Sequence, residues 1–361
     1  MSPSPFLALA GAVGETVPQH YGNPIGEQRR LASGGAIVDL SDRGVIALEG
    51  PDRLSWLDSL TSQRLTTLAP GESAETLLLD PSGRIEHAMR VVDDGVTAWL
   101  LVDEASALAA WLDRMRFMLR VTVTDATEQY ATIGTLGDPA SLPAAAPNGV
   151  PLLWRDPWGA GVAEGGVQYA PAPQHPSAAW TYAEVLVPRD QLATLTDRPV
   201  AGALALEALR IEAWRPRLVT ERDERTIPHE LDWLRSAVHL AKGCYRGQET
   251  VAKVHNLGHP PRRLVQLDID GSEGVHAEHG DEVLSGDTVV GHVTSAAVHH
   301  ELGPVALAVI KRSTDVSAPL LVRHDDVLLA ASQQVIVPPT AGAAASVPRL
   351  PRLGAVTRPS A

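Results

Sequence analysis

Short runs of alternating apolar and polar residues in the first third of the chain predict strands joined by tight turns. Such runs occupy residues 76–79, 85–92 and 96–102. The turn sequences DPSG at 80–83 and DDG at 93–95 separate them. Because Pro, Asp, Ser and Gly favour tight turns, the pattern predicts three neighbouring antiparallel strands.

Helical spacing of apolar residues flanks these strands. In LEGPDRLSWLDSL (48–60), Pro51 can begin a helix that places its leucines along one side. After Glu104, large apolar residues recur every three or four positions; they are Leu108, Trp111, Leu112, Met115 and Leu119. We therefore predict an α+β unit at about 46–135, in which the helices pack on the sheet. A further strand is predicted at 180–187 and a further helix at 203–213.

Three later regions differ in character. Residues 139–179 are rich in Pro, Ala and Gly, which predicts a long, partly irregular surface connection. Residues 258–338 contain short strands separated by turn residues, as in a small β-barrel. Residues 339–361 contain few large apolar residues, so we predict a disordered tail.

Composition narrows the possible functions. The 361 residues are 44% hydrophobic, with a formal net charge of -13 and one cysteine. The charge argues against direct nucleic-acid binding. One cysteine excludes an internal disulfide and a multi-cysteine metal site. The apolar stretch at 6–13 is much shorter than the roughly 20 residues of a membrane span, so we expect a soluble cytoplasmic protein without membrane contact.

Histidines do not supply a metal motif. His229 and the pair His299-His300 lack HExxH spacing and neighbouring cysteines, and we predict no metal site.

The single cysteine lies in KGCYRGQE (242–249). Lys242 and Arg246 flank Cys244, and nearby cations favour the thiolate. Free cysteines are also among the most buried residues and often only pack. The residues alone leave both interpretations open.

The octapeptide matches the K-G-C-Y-x-G-Q-E signature of the YgfZ family, folate-binding proteins related to the glycine-cleavage T-protein. The resemblance spans about residues 30–338 and includes Arg210-Ile211-Glu212, ERTIPHELDW (224–233) and VHNLGHPPRRL (254–264). It implies a T-protein-like α+β fold. Two interleaved α+β subdomains would occupy 30–257 and the barrel 258–338, around a central channel for tetrahydrofolate or a one-carbon derivative.

The resemblance also implies a function. It suggests an accessory factor for assembly or repair of iron-sulfur enzymes, with Cys244 as the working group. Its partners would be folate and iron-sulfur enzymes or cluster-assembly proteins. A link to tRNA modification would run through an iron-sulfur modifying enzyme. Whether the chain is itself an enzyme stays open: we expect no conventional turnover, and the alternative is a tetrahydrofolate-dependent aminomethyltransferase.

Cofactor-binding residues follow by analogy. Glu212 matches the glutamate that accepts the pterin's amidine-like edge, although a solvated glutamate is the alternative. Arg263 suits folate's anionic tail, although such an arginine is often solvated surface. The remaining cofactor-binding candidates lie beside the thiol and are Lys242, Tyr245 and Arg246.

One departure from the T-protein pattern concerns mechanism. T-proteins carry an acidic pair after the hairpin glycine, and an aspartate of that pair serves methylene transfer. Aligning that glycine with Gly83 places Glu86 and His87 there. This argues against aspartate-dependent aminomethyl transfer, although His87 could titrate near neutral pH, and both residues could instead form a polar outer strand face.

Overall fold

A computed structural model of the chain describes residues 3–171, 175–272 and 274–345. The described residues form two five-stranded sheets and a closed six-stranded barrel. The helices are α1 (Pro24–Ala32), α2 (Arg53–Leu60), α3 (Ser106–Met115), α4 (Ala203–Glu212), α5 (Leu218–Glu221) and α6 (Gln248–Leu257). No helix among the described residues is long and apolar enough to cross a membrane.

The first sheet is antiparallel and contains the three predicted strands as neighbours at one side. Its order is β3-β4-β5-β2-β6. The strands are β2 (Gly44–Glu49), β3 (Ser73–Leu79), β4 (Ile85–Asp93), β5 (Thr97–Val102) and β6 (Thr122–Asp125). Leu57 of α2 and Leu108 of α3 pack on one face of this sheet, whereas Trp99 and Leu101 on the other face join the main core. The helix predicted to reach Leu119 ends at Met115, and Phe117 has a left-handed φ of 47°.

The second sheet interleaves with the first along the chain. Its order is β10-β1-β7-β9-β8. The strands are β1 (Ile37–Asp39), β7 (Tyr130–Thr135), β8 (Leu153–Arg155), β9 (Ala183–Pro188) and β10 (Val200–Ala201). Residues 139–179 were predicted to form a surface connection, and this prediction is wrong for the middle of the range. There β8 joins the sheet, and both Trp154 and Trp158 are buried. Residues 172–174 of that prediction lie outside the described residues.

The barrel strands follow in the order β11-β14-β13-β12-β15-β16. They are β11 (Arg262–Ile269), β12 (Glu282–Ser285), β13 (Thr288–His299), β14 (Gly303–Lys311), β15 (Leu320–His324) and β16 (Val327–Val335).

The chain beyond the barrel does not become disordered at 339. Ala341 is buried, and the Ala344 amide donates to the His255 carbonyl at 2.9 Å. Small side chains allow this segment to lie directly against the end of α6, which composition alone did not indicate. Residues 346–361 of the predicted tail lie outside the described residues.

Candidate functional site

A cavity of about 50 Å³ lies where the two sheets meet the segment after α4. We call it the inner cavity. Its aromatic lining residues are Trp154, Trp180 and Tyr182. Its charged lining residues are Arg43, Arg90, Asp156, Glu184, Arg210, Arg215 and Arg217.

Glu184 on β9 is the carboxylate that joins the two sheets. Its Oε1 accepts hydrogen bonds from Arg43, from Arg90 at 3.2 Å and from the Tyr182 hydroxyl at 2.8 Å. Its Oε2 is buried and has no hydrogen-bond partner among the described residues. Buried polar atoms are nearly always partnered, so this oxygen marks a place for a ligand group or water.

Arg215 forms the opposite charged group. Its Nε donates to Asp156 at 2.8 Å and one terminal nitrogen donates to Glu75 at 2.5 Å. Its guanidinium lies 5.3 Å from the Trp158 ring centre. Burial alone would lower the pKa of Arg215, but Asp156 and Glu75 raise it above its ordinary value. The other terminal nitrogen, NH1, is buried and unpartnered within the described part of the chain.

Arg217 lines the inner cavity, and Asp103 lies beside it, outside the cavity lining. Arg217 Nε lies 3.9 Å from Asp103 Oδ1, too far for a hydrogen bond. Neither atom has a hydrogen-bond partner in the described ranges. Burial would raise the pKa of Asp103, but Arg90, Arg43 and Arg217 hold it below its ordinary value. Asp103 is therefore ionised at neutral pH.

A wider cleft of about 310 Å³ is lined by Asp103 and therefore lies next to Arg217 of the inner cavity. We call it the outer cleft. Glu86 and His87 on β4 lie here, opposite Arg222 after α5. Burial lowers the pKa of His87 below its ordinary value, which favours the neutral ring at pH 7. Glu86 accepts from both terminal nitrogens of Arg246, at 2.6 and 3.3 Å.

The arrangement defines what can bind. The inner cavity is lined by residues with one unpartnered carboxylate oxygen, on Glu184, and one unpartnered guanidinium nitrogen each on Arg215 and Arg217, beside flat aromatic walls. This set complements a planar ring whose edge carries adjacent donors and an acceptor. The outer cleft provides additional space for the rest of such a molecule.

Lys242 lies away from this site. Its ammonium group donates to three backbone carbonyls, those of Asp58, Thr61 and Gln63, at 2.5, 2.7 and 2.9 Å. These carbonyls lie at and after the C-terminal end of α2, where a cation is favourable. All three ammonium donors are occupied, so Lys242 fixes the loop and offers no donor to a cofactor.

Cys244 is exposed. Tyr245 is buried, with its ring centre 5.3 Å from the Lys242 ammonium nitrogen. Arg246 is paired with Glu86. The thiol is therefore presented to solvent, while both flanking cations are engaged by other groups.

Glu212 lies on a different side of α4 from Arg210. Residues two apart on a helix are separated by roughly 200°, and only Arg210 lines the inner cavity. Glu212 Oε2 lies 3.2 Å from His299 Nε2 on the barrel, and the nearby His299 lowers the pKa of Glu212. The structure thus does not bring Glu212 together with the unpartnered atoms of the cavity.

The arginine pair that begins β11 is also distant from the cavity lining. Arg263 is fully buried and donates to the Thr314 carbonyl at 3.0 Å and Gln333 Oε1 at 2.8 Å, both within the barrel domain. Arg262 forms ion pairs with Asp223 and Glu230. We therefore do not assign Arg263 to the candidate site.

Sequence reasoning missed most of the cavity residues, including Glu184, Arg215 and Arg217. A usable signal exists in AEVLVP (183–188), where a charged residue interrupts an otherwise apolar buried strand. Such a residue needs a buried partner. Its arginine partners lie 94 and 141 positions away in the sequence, so spacing could not identify them.

Two glycines bring the thiol loop against the β3–β4 hairpin. Gly247 has φ 83° and immediately precedes α6. A Cβ on Gly247 would lie 2.6 Å from the Asp80 carbonyl oxygen and 3.0 Å from the Gly83 Cα. Only glycine permits both this backbone conformation and this approach.

Comparison with known proteins agrees with this architecture. Residues 12–142 match the GCVT N-terminal domain, and residues 262–338 match the glycine cleavage T-protein C-terminal barrel domain. An aminomethyltransferase from Rippkaea orientalis is 29% identical over 332 residues, covering 86% of this chain and 87% of that protein. An aminomethyltransferase from Nostoc sp. is 26% identical over 342 residues, or 86% of each chain.

A solved structure shares the fold. The crystal structure of glycine cleavage system aminomethyltransferase T from Bartonella henselae matches with a TM-score of 0.68. The match covers 90% of this chain and 93% of the Bartonella henselae chain, and the two sequences are 19% identical. The chain thus has the T-protein-like fold, with the N-terminal domain and the C-terminal barrel of the glycine-cleavage T-protein.

Replacing Gly247 by alanine should destabilise the protein by about 1–3 kcal/mol, because the new Cβ meets backbone at a strained φ. Urea denaturation measures this. Gly243→Ala in the same loop is the matched control, since a Cβ there meets nothing within 4 Å. Equal stability of the two variants would contradict the proposed packing of loop against hairpin.

Cys244 should react with iodoacetamide in the native protein, because its side chain is exposed. Mass spectrometry after timed labelling, with and without denaturant, measures this. Because Cys244 is the only cysteine in the sequence, any labelled thiol is that of Cys244. Labelling only after denaturation would show that the thiol is inaccessible.

Proposed function

We propose that this protein binds a reduced folate across the inner cavity and outer cleft and serves as an accessory factor for iron-sulfur enzymes. The observation that carries the folate assignment is the unpartnered Glu184 Oε2 close to the unpartnered guanidinium atoms of Arg215 and Arg217. The T-protein-like fold supports it.

The chemistry of a pterin fits these residues. Its amidine-like edge carries adjacent N–H donors, which Glu184 Oε2 can accept, and its ring carbonyl can accept from a guanidinium. The inner cavity of about 50 Å³ admits only a ring edge, so the rest of the molecule belongs in the outer cleft of about 310 Å³. When bound, a reduced folate would supply a carrier for one-carbon units.

The outer cleft argues against aminomethyl transfer as the main activity. Glu86 is engaged by Arg246, and His87 is neutral, so the two positions after the hairpin provide no free carboxylate. Stabilising a developing iminium requires a fixed carboxylate beside it.

A second candidate function is retained because of Asp103. This ionised carboxylate adjoins the outer cleft with one oxygen unpartnered in the described chain. It could take the place of the absent aspartate in a folate-dependent aminomethyltransferase. The relatives named aminomethyltransferase favour this candidate.

The accessory role rests on Cys244. Its exposure in KGCYRGQE, together with the resemblance of that motif to the YgfZ signature, supports contact with a partner. One thiol cannot hold a cluster alone, but it can provide one ligand or form a mixed disulfide. Partners would be cytoplasmic iron-sulfur enzymes or cluster-assembly proteins, with tRNA-modifying enzymes as one class of client.

Glu184→Gln should weaken tetrahydrofolate binding roughly 10- to 100-fold, the range expected for a hydrogen bond to a charged group. Arg217→Gln should also weaken it, and it is the safer variant because its guanidinium makes no described hydrogen bond. Titration calorimetry measures both dissociation constants.

Glu212→Gln is the discriminating control for this prediction. The resemblance to the T-protein implies that Glu212 binds the pterin edge, whereas we propose that Glu184 binds it. If Glu212→Gln reduces affinity while folded Arg217→Gln and Glu184→Gln bind normally, the site lies at Glu212 and the present assignment is wrong.

In a strain lacking this protein, the wild-type chain should restore the activity of iron-sulfur enzymes and Cys244→Ala should not. Matched expression levels, with Cys244→Ala shown to bind tetrahydrofolate, separate loss of the thiol from loss of the fold. Equal rescue would remove the thiol from the function. Purified protein that transfers methylene groups from an aminomethylated carrier protein would instead establish the second candidate.

A further inference from the structure

A separate cavity of about 150 Å³ lies beyond the Glu75–Arg215 ion pair. Glu75 lines this cavity and Arg215 lines the inner cavity, so the pair stands between the two. We call the second space the His239 cavity. Its polar lining residues are Gln63, Arg64, Thr67, Ser73, Glu75, Glu164, Ser236 and His239.

His239 is held in one orientation. Its Nδ1 accepts from the Ala241 amide at 3.2 Å, and its own amide donates to the Ser62 carbonyl at 2.9 Å. The ring lies directly against Gly165, where a Cβ would come within 2.5 Å of it. Because Nδ1 is an acceptor, the ring proton of the neutral form is on Nε2.

The Nε2–H donor has no acceptor. His239 is 4% exposed, and its Nε2 is buried without a hydrogen-bond partner in the described chain. Burial, followed by the charge of Arg64, lowers the pKa of His239, which keeps the ring neutral at pH 7. A buried donor left unpaired is unfavourable, so the cavity is suited to a ligand that brings an acceptor.

The weakly paired Arg64 guanidinium makes an anionic acceptor favourable. Arg64 is only weakly paired, at 3.5 Å, with Glu164, whose side chain is 82% exposed. Both oxygens of Glu75 are already engaged, by Arg215 and Ser236. Lys242, behind Gln63, is engaged by carbonyls and lies 3.3 Å from the Asp58 carboxylate, so it offers no donor to the cavity. The groups left available are therefore His239 Nε2–H and the Arg64 guanidinium.

We propose that the His239 cavity binds a small oxyanion, a phosphate or a carboxylate group, through His239 Nε2–H and the Arg64 guanidinium. The site is separate from the inner cavity and shares no lining residue with it. His239 also begins the segment that leads to Cys244.

Titration calorimetry of the full chain at neutral pH, first with inorganic phosphate and then with succinate, tests this. We expect one binding site for at least one of these anions. Its affinity should fall roughly tenfold or more in Arg64→Gln and in His239→Phe. Arg323→Gln is the matched control, because it removes another half-exposed arginine paired with a carboxylate, Glu282.

Comparing the two anions shows whether the cavity binds a phosphate or a carboxylate group. Binding of phosphate alone indicates a phosphate ligand, and binding of succinate alone indicates a carboxylate. Histidine nitrogen NMR provides a second measurement should His239→Phe fail to fold: the bound anion should shift the wild-type His239 Nε2 signal. No binding of either anion at millimolar concentration, or equal binding by wild type and folded Arg64→Gln, overturns the proposal.

Discussion

The buried ion pairs between arginines and carboxylates at the centre of the molecule determine how its parts fit together. Arg90 on β4 of the first sheet and Arg43, just before β2, share Glu184 on the second sheet. Arg210 on α4 contacts Glu221 and donates to Ser295 on the barrel. Because a buried charge without its partner is strongly destabilising, these pairs tolerate little relative movement.

The same constraint creates the proposed binding site. Each central arginine or carboxylate must satisfy partners from different parts of the chain, and their geometry leaves some atoms unpaired. Glu184 Oε2, Arg215 NH1 and Arg217 Nε are such atoms in the described chain. A ligand that completes their hydrogen bonds would bind and also strengthen the junction. In this account, folate recognition uses the interactions that assemble the fold.

Local features were predictable from the sequence, whereas the charged centre was not. Turn residues located the strands around Gly83, and the octapeptide indicated the T-protein-like fold. Closeness in the sequence did not predict which groups each charge contacts. Lys242 lies two residues from Cys244, but its ammonium group donates to carbonyls near the end of α2. Trp158, predicted on the surface, is buried beside Arg215. These outcomes depend on contacts between distant segments, which periodicity does not encode.

A crystal structure of the protein with bound tetrahydrofolate is the most direct test of the central claim. The account predicts the pterin edge within hydrogen-bonding distance of Glu184 Oε2, with Arg215 or Arg217 on its carbonyl and the remaining molecule in the outer cleft. A pterin bound beside Glu212 and His299, or in the barrel, would contradict it. So would the absence of ligand from both cavity and cleft in crystals grown at saturating folate.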